Sequence, residues 1–146
     1  MSGEQIRGRQ GSEPMTARVS QKAVVFDPGG EILLLRDAKC GDWEFPGGRI
    51  DRGERPIEAL NREIREETDL SVAVERPVFT ATKRRKEKRA KFFVYYRCSV
   101  PERRPTVTIS DEHTDYRWVD PAAVPELNRR RRTALGLALE EGDWER

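Results

Sequence analysis

The strongest constraint on the fold is a pair of strand-like segments, Arg18 to Phe26 and Glu31 to Arg36, joined through Asp27-Pro28-Gly29-Gly30. Proline and paired glycines between two apolar runs are a strong turn signal, so the two segments read as a hairpin. Ser71 to Thr80, Phe93 to Val100 and Tyr116 to Val119 read as further strands. The second is rich in aromatic and β-branched residues, and the third follows the acidic turn Ser110-Asp111-Glu112. Two helices are expected. One enters at Pro56 and carries Ile57, Leu60 and Ile64 on one stripe; the other spans Asn128 to Glu141. Strands gathered around two well-separated helices predict an α+β protein, an α/β/α sandwich with a mixed β-sheet between helices.

The 146 residues suit one domain, expected over 17–146 behind a polar leader over 1–16 that lacks apolar periodicity and reads as disordered. Formal charge is only +2, because 28 basic residues are nearly balanced by 26 acidic ones, so bulk charge does not select a nucleic-acid or membrane partner. No apolar segment approaches the roughly 18 to 20 residues of a membrane span. Cys40 and Cys98 lack metal-finger spacing. The expected compartment is a reducing cytoplasm.

The informative region begins at Trp43-Glu44-Phe45 and the loop Pro46 to Gly53, whose three glycines permit backbone angles and close approaches that other residues cannot make. On the helix that follows, a rotation of 100° per residue sets Glu63, Glu66 and Glu67 within about 100° of one another, beside the apolar stripe. Carboxylates at i, i+3 and i+4 repel by a few tenths of a kcal/mol per exposed pair, about, and more where partly buried. Such a face is either ordinary solvated surface, with Glu58, Arg62 and Glu66 in i,i+4 pairs, or a site for a hard divalent cation. The adjacent glycine loop, able to approach phosphates closely, favours the cation.

These residues resemble the Nudix box, read here as Gly48, five residues, Glu54, seven residues, then Arg62-Glu63-Ile64-Arg65-Glu66-Glu67-Thr68-Asp69-Leu70. The six matched identities would align by chance at roughly 10^-7 per start position. Asp69 stands where the family has Gly, and a left-handed helix end there costs Asp about 1 kcal/mol. The resemblance covers residues 43 to 70. It implies that the Gly47 carbonyl, Glu63, Glu66 and Glu67 hold Mg2+, with Mn2+ as a substitute, while Glu54 and Arg62 orient the carboxylates. It also implies hydrolysis of a diphosphate linkage in a nucleotide-like small molecule by in-line attack of a metal-activated water, and some relatives are homodimers. Glu112, ahead of the Trp118 strand, is the candidate late acid for metal binding or proton removal, with Asp111 as its alternative. Arg36 and Arg49 are candidates for phosphate contacts. His113 is left outside the site, and the rings of Trp43, Phe45, Phe93 and Tyr95 are either core or base platforms.

Two basic stretches, Lys83 to Lys91 and Arg129 to Arg132, keep other readings open. One is an RNA 5′-end pyrophosphohydrolase in which the basic 83–91 loop grips the chain; another is a non-catalytic nucleotide- or RNA-binding module. The retained glutamates rank the small-molecule hydrolase first.

Overall fold

A computed structural model describes residues 13–86 and 88–140. Most of the expected leader, residues 1–12, and the last six residues lie outside the described residues, while 13–16 are exposed. The strands are β1 (Ala17–Phe26), β2 (Ile32–Asp37), β3 (Trp43–Glu44), β4 (Gly47–Arg49), β5 (Ala73–Arg85), β6 (Lys88–Ser99) and β7 (His113–Val119), with helices α1 (Pro56–Thr68) and α2 (Arg129–Leu139). Five strands run in the order β3-β2-β1-β6-β5, with β4 added on β1 and β7 on β2. β1 and β6 are parallel and every other pair is antiparallel, so the sheet is mixed.

The apolar runs of β1 and β2 are buried on both faces, as strands in the middle layer of three must be. Val24, Phe26, Ile32 and Leu34 face one way, and pack with Phe93, Tyr95 and the α2 residues Ala134, Leu135 and Ala138. Ala23, Val25, Leu33 and Leu35 face the other way, and pack with Tyr96, Cys98 and the α1 residues Leu60 and Ile64. Alternation along each strand therefore feeds two cores, each closed by one helix, which is the expected sandwich.

Three expectations need correction. The β1–β2 hairpin is a turn without a ladder: Phe26 pairs with Ile32, after which β2 turns to β7 and β3 while β1 pairs with β4 and β6. The basic stretch 83–91 is not a loop between strands, because β5 and β6 carry their pairing outward to Arg85↔Lys88. Ile57 does not join the buried stripe. It is 43% exposed, and the inward face of α1 runs instead through Leu60, Ile64, Glu67 and Thr68.

The ends of α1 follow from local chemistry. Pro56 occupies the first turn, where its missing N–H costs nothing, and the Glu58 carboxylate accepts the Arg55 backbone N–H at 3.2 Å. Asp69 closes the helix in the left-handed conformation, φ 61° and ψ 23°, with its N–H on the Arg65 carbonyl at 2.9 Å. No helix among the described residues is long and apolar enough to cross a membrane.

Leu60→Ala should therefore cost about 2–5 kcal/mol of folding stability by opening a cavity under α1. Ile57→Ala should cost less than about 1 kcal/mol, as an exposed site does. Urea denaturation of the two variants checks the difference, and equal losses would show that the first turn is packed after all.

Candidate active site

Gln21 and the glycines of β4 fix where α1 lies. Gln21, 1% exposed, donates through Nε2 to the Pro56 carbonyl at 2.6 Å and accepts from the Tyr96 hydroxyl at 2.9 Å, tying the helix start to β1 and β6. β4 pairs with β1 so closely that a Cβ on Gly47 would stand 2.0 Å from the Gln21 carbonyl oxygen, at φ 142°. On Gly48 a Cβ would stand 1.7 Å from the Glu63 Oε2. Glycine is required at Gly47, where it lets two backbones meet, and at Gly48 it leaves a cradle filled by a carboxylate that any side chain would displace.

Glu63 and Glu67 sit one helical turn apart on the face of α1 that meets β4. The Gly47 N–H donates to Glu67 Oε1 at 2.9 Å, and the Glu67 residue is 6% exposed. Burial pushes its carboxyl up to about 7, despite the opposing pull of Lys22, the Gly47 N–H and His113. Glu63 is also pushed above the usual carboxylate range, first by burial, then by the charges of Glu66 and Glu112, against the pull of Arg62. Arg62 is the hub of the outer face. Its Nε donates to Glu54 Oε2 at 2.5 Å, and its Nη1 to Glu63 Oε1 at 3.0 Å and Glu66 Oε1 at 3.1 Å. Glu54 in return is held down to about 2, chiefly by that bond.

Gly47, Gly48, Arg49, Glu63, Glu67 and Glu112 line one cleft of about 520 Å3. Of the residues singled out from sequence, Glu54, Arg62, Glu66 and Arg36 do not line it, Glu54 and Arg62 lying on its outer side as the pair just described. Glu66 turns outward, its side chain 59% exposed and bonded to Arg62. Arg36 donates through Nε to the Gly41 carbonyl at 3.0 Å, with its guanidinium 5.7 Å from the Trp43 ring, and so braces the turn after β2. Trp43, Phe45, Phe93 and Tyr95 are core residues, 1–9% exposed.

The cleft also holds Lys22 and Glu44, which the sequence reading did not bring forward, and His113, which it left outside the site. His113 Nε2 lies 2.8 Å from Glu44 Oε2, the histidine side chain being 2% exposed. Burial opposes the imidazolium, but the Glu44 bond and the charges of Glu67 and Glu44 outweigh it and hold His113 above the ordinary histidine range. Burial likewise opposes the Glu44 charge and is outweighed by His113, Lys22 and Arg131, so Glu44 is held low. A charged residue inside a buried strand, as Lys22 is in β1 and Glu44 in β3, was the signal that would have found them.

Among the described residues no three Asp, Glu, His or Cys side chains stand close enough to share one metal ion. A hard cation bound through one or two carboxylates, with waters and phosphate oxygens completing its shell, needs no such cluster. Glu63 in its cradle and Glu67 beside Gly47, both with proton affinity raised, are hard oxygen donors whose crowding a cation would relieve.

The NUDIX domain pattern matches residues 16–137. A MutT-like protein of Streptomyces ambofaciens is 36% identical over 67 residues, 46% of this chain and 44% of the relative, so the chain matches less than half of that relative's length. The nucleoside triphosphatase NudI of Salmonella newport (strain SL254) is 35% identical over 109 residues, 66% of this chain and 76% of the relative. The crystal structure of a MutT NUDIX hydrolase from Burkholderia pseudomallei superposes with a TM-score of 0.68 at 26% identity, over 83% of this chain and 97% of that one.

Because the Glu67 carboxyl titrates near 7 in the folded chain and near 4.5 when unfolded, its neutral form favours folding in full below pH 4.5, and that contribution is lost as pH rises through 7. In chelator, the stability of Glu67→Gln relative to the unsubstituted protein should therefore grow between pH 4.5 and 7.5, by on the order of 3 kcal/mol. Denaturant melts across that range check this, and a gap independent of pH would show that burial does not hold the proton on Glu67.

Proposed function

The chain belongs to the NUDIX family, and from that premise we propose that it hydrolyses a diphosphate linkage in a nucleotide-like small molecule with Mg2+ or, as a substitute, Mn2+ bound at Glu63 and Glu67. The observation that carries this reading is the buried Glu67 carboxylate and the half-buried Glu63 carboxylate held in one cleft with Glu112, against desolvation and mutual repulsion, at the edge of a glycine strand. Folded proteins keep such unfavourable arrangements where a ligand relieves them. Residues of this cleft, together with backbone oxygen near Gly47, would hold the ion, and Glu66 would act from the rim through Arg62.

The bound cation would neutralise phosphate oxygens and lower the pKa of coordinated water. The chain supplies the rest. Arg62, pinned on Glu54 by two bonds at 2.5 and 2.9 Å, holds the Glu63 carboxylate in its Gly48 cradle. Glu112, which lines the same cleft, is our assignment for the group that takes the proton from the attacking water. As the water oxygen bonds to phosphorus in line, the bridging P–O bond breaks and its electron pair leaves with the departing phosphate. Lys22 and Arg49, in the same cleft, meet the charge on the phosphate oxygens. His113 does not touch this chemistry in our reading: its bond to Glu44 fixes the floor beside Lys22 and Glu67.

A panel of nucleoside triphosphates, nucleotide sugars and dinucleoside polyphosphates, assayed with Mg2+ and with EDTA, tests the proposal through release of phosphate or pyrophosphate. Metal-dependent turnover of at least one class is expected, abolished by EDTA. Glu67→Gln should lower kcat by a factor of about 10^2 or more while the folded content stays intact. Turnover that persists in EDTA, or a fully active Glu67→Gln protein, would sink the assignment. Arg36→Ala should leave kcat/KM within about twofold, as its guanidinium only braces a turn; a loss of tenfold or so would bring that arginine back into substrate binding.

A further inference from the structure

Two basic stretches of the sequence have no part in the chemistry above, and the fold brings them together. Lys83 on β5 and Lys91 on β6 meet Arg130 and Arg131 of α2 around a second cavity of about 140 Å3, with Lys22 on its floor. Among the described residues Glu44 is the one carboxylate in this wall, and it is engaged by His113 at 2.8 Å and by Arg131 at 3.6 Å. The arginine heads are held by the core. Arg130 donates through Nε to the Tyr95 hydroxyl at 2.8 Å and lies 4.1 Å from the centre of the Phe93 ring, while Arg131 donates through Nη1 to the Trp43 carbonyl at 3.3 Å. Cations fixed in this way lose little rotamer entropy when they bind an anion.

Size and position narrow the ligand. The usual pocket for a small molecule holds about 300–1,000 Å3, so this cavity is too small for a nucleoside and suits a compact anion. Ser20, Lys22, Glu44 and Lys91 belong to both its wall and that of the acidic cleft, so a single substrate would reach both. Five positive side chains and one carboxylate line so small a space, and a multiply charged anion would be attracted by that excess of positive charge.

We propose that this cavity is a subsite for a phosphate group outside the scissile linkage, so that the preferred substrate is a nucleoside triphosphate or longer polyphosphate rather than a diphosphate-linked nucleotide sugar. The assignment rests on the hydrolase reading for its substrate, but not for the existence of the anion site.

The site can be tested without turnover. Inorganic tripolyphosphate is titrated into the full chain in EDTA, where the acidic cleft has no cation with which to hold phosphate. Saturable binding is expected, weakened about tenfold or more in Lys83→Glu, a change on the exposed hairpin that spares the core, and in Arg131→Gln. Arg52→Glu, the same charge change outside this cavity, should leave binding close to that of the unsubstituted protein. No binding, or equal weakening by Arg52→Glu and Lys83→Glu, would overturn the subsite.

In the hydrolysis assay, Lys83→Glu should lower the ratio of kcat/KM for a nucleoside triphosphate over that for a nucleotide sugar by about tenfold. An equal fall for both substrates would overturn the substrate assignment. So would preference for a 5′-triphosphorylated oligoribonucleotide over the free nucleotide. A protein that binds tripolyphosphate in EDTA but cleaves no diphosphate compound would refute the hydrolase reading and leave the anion site standing.

Discussion

The architecture of the site depends on how closely β4 lies against β1 and α1. A side chain at Gly47 would strike the Gln21 carbonyl, and one at Gly48 would strike the Glu63 carboxylate. Because the first is absent the strand can pair with Ser20, Gln21 and Lys22 while its Gly47 N–H reaches Glu67, and because the second is absent Glu63 can lie against the strand. That contact brings the helix acids to the sheet, and burial then raises their proton affinity. Steric permission comes first here, and the unusual electrostatics follow from it.

Charge compensation divides the site into an inner and an outer part. On the outer side Arg62 gathers Glu54, Glu63 and Glu66 and donates to the Arg49 carbonyl at 3.2 Å, which fixes loop and helix relative to each other. On the inner side Lys22, Glu44, His113 and Glu67 influence one another across the cleft floor. Glu63 belongs to both, with one oxygen on Arg62 and the other in the Gly48 cradle. Its carboxylate is oriented by the outer network and charged against the inner one. In this arrangement rigidity and reactivity come from different partners.

Much of this was legible in the sequence, because the features concerned are local. Residues 43–70 contain the glycines, the helix start at Pro56 and the acids, all within a few turns of chain, and the left-handed end at Asp69 follows from its place alone. What escaped was non-local. The partners of β1 and β2 are chosen by strands far away, so a turn that predicts a hairpin leads instead to two strands that part. Lys22 and Glu44 look like surface charges until the register sets Lys22 opposite Gly47 and His113 against Glu44. Arg36 ends an apolar strand, as a phosphate ligand would, yet the carbonyl it bonds lies in the next turn and the ring it meets in β3. The basic residues at 83–91 have weak strand propensity, and only the pairing partner carries the hairpin that far.

The parallel pairing of β1 with β6 bears on how the chain reaches this state. Ala17 pairs with Ala90 and Phe26 with Ser99, half a chain length away, whereas β4 and α1 adjoin one another in sequence. Closing so long a loop consumes entropy before any ladder bond repays it, so the central seam should lie near the rate-limiting barrier of folding. The glycine strand pairs with β1 directly, but β1 has an open edge until β6 joins it. During synthesis the segment from β4 to α1 would leave the ribosome well before β6, the strand that completes its support, and it would have to wait for that strand in an unfinished sheet.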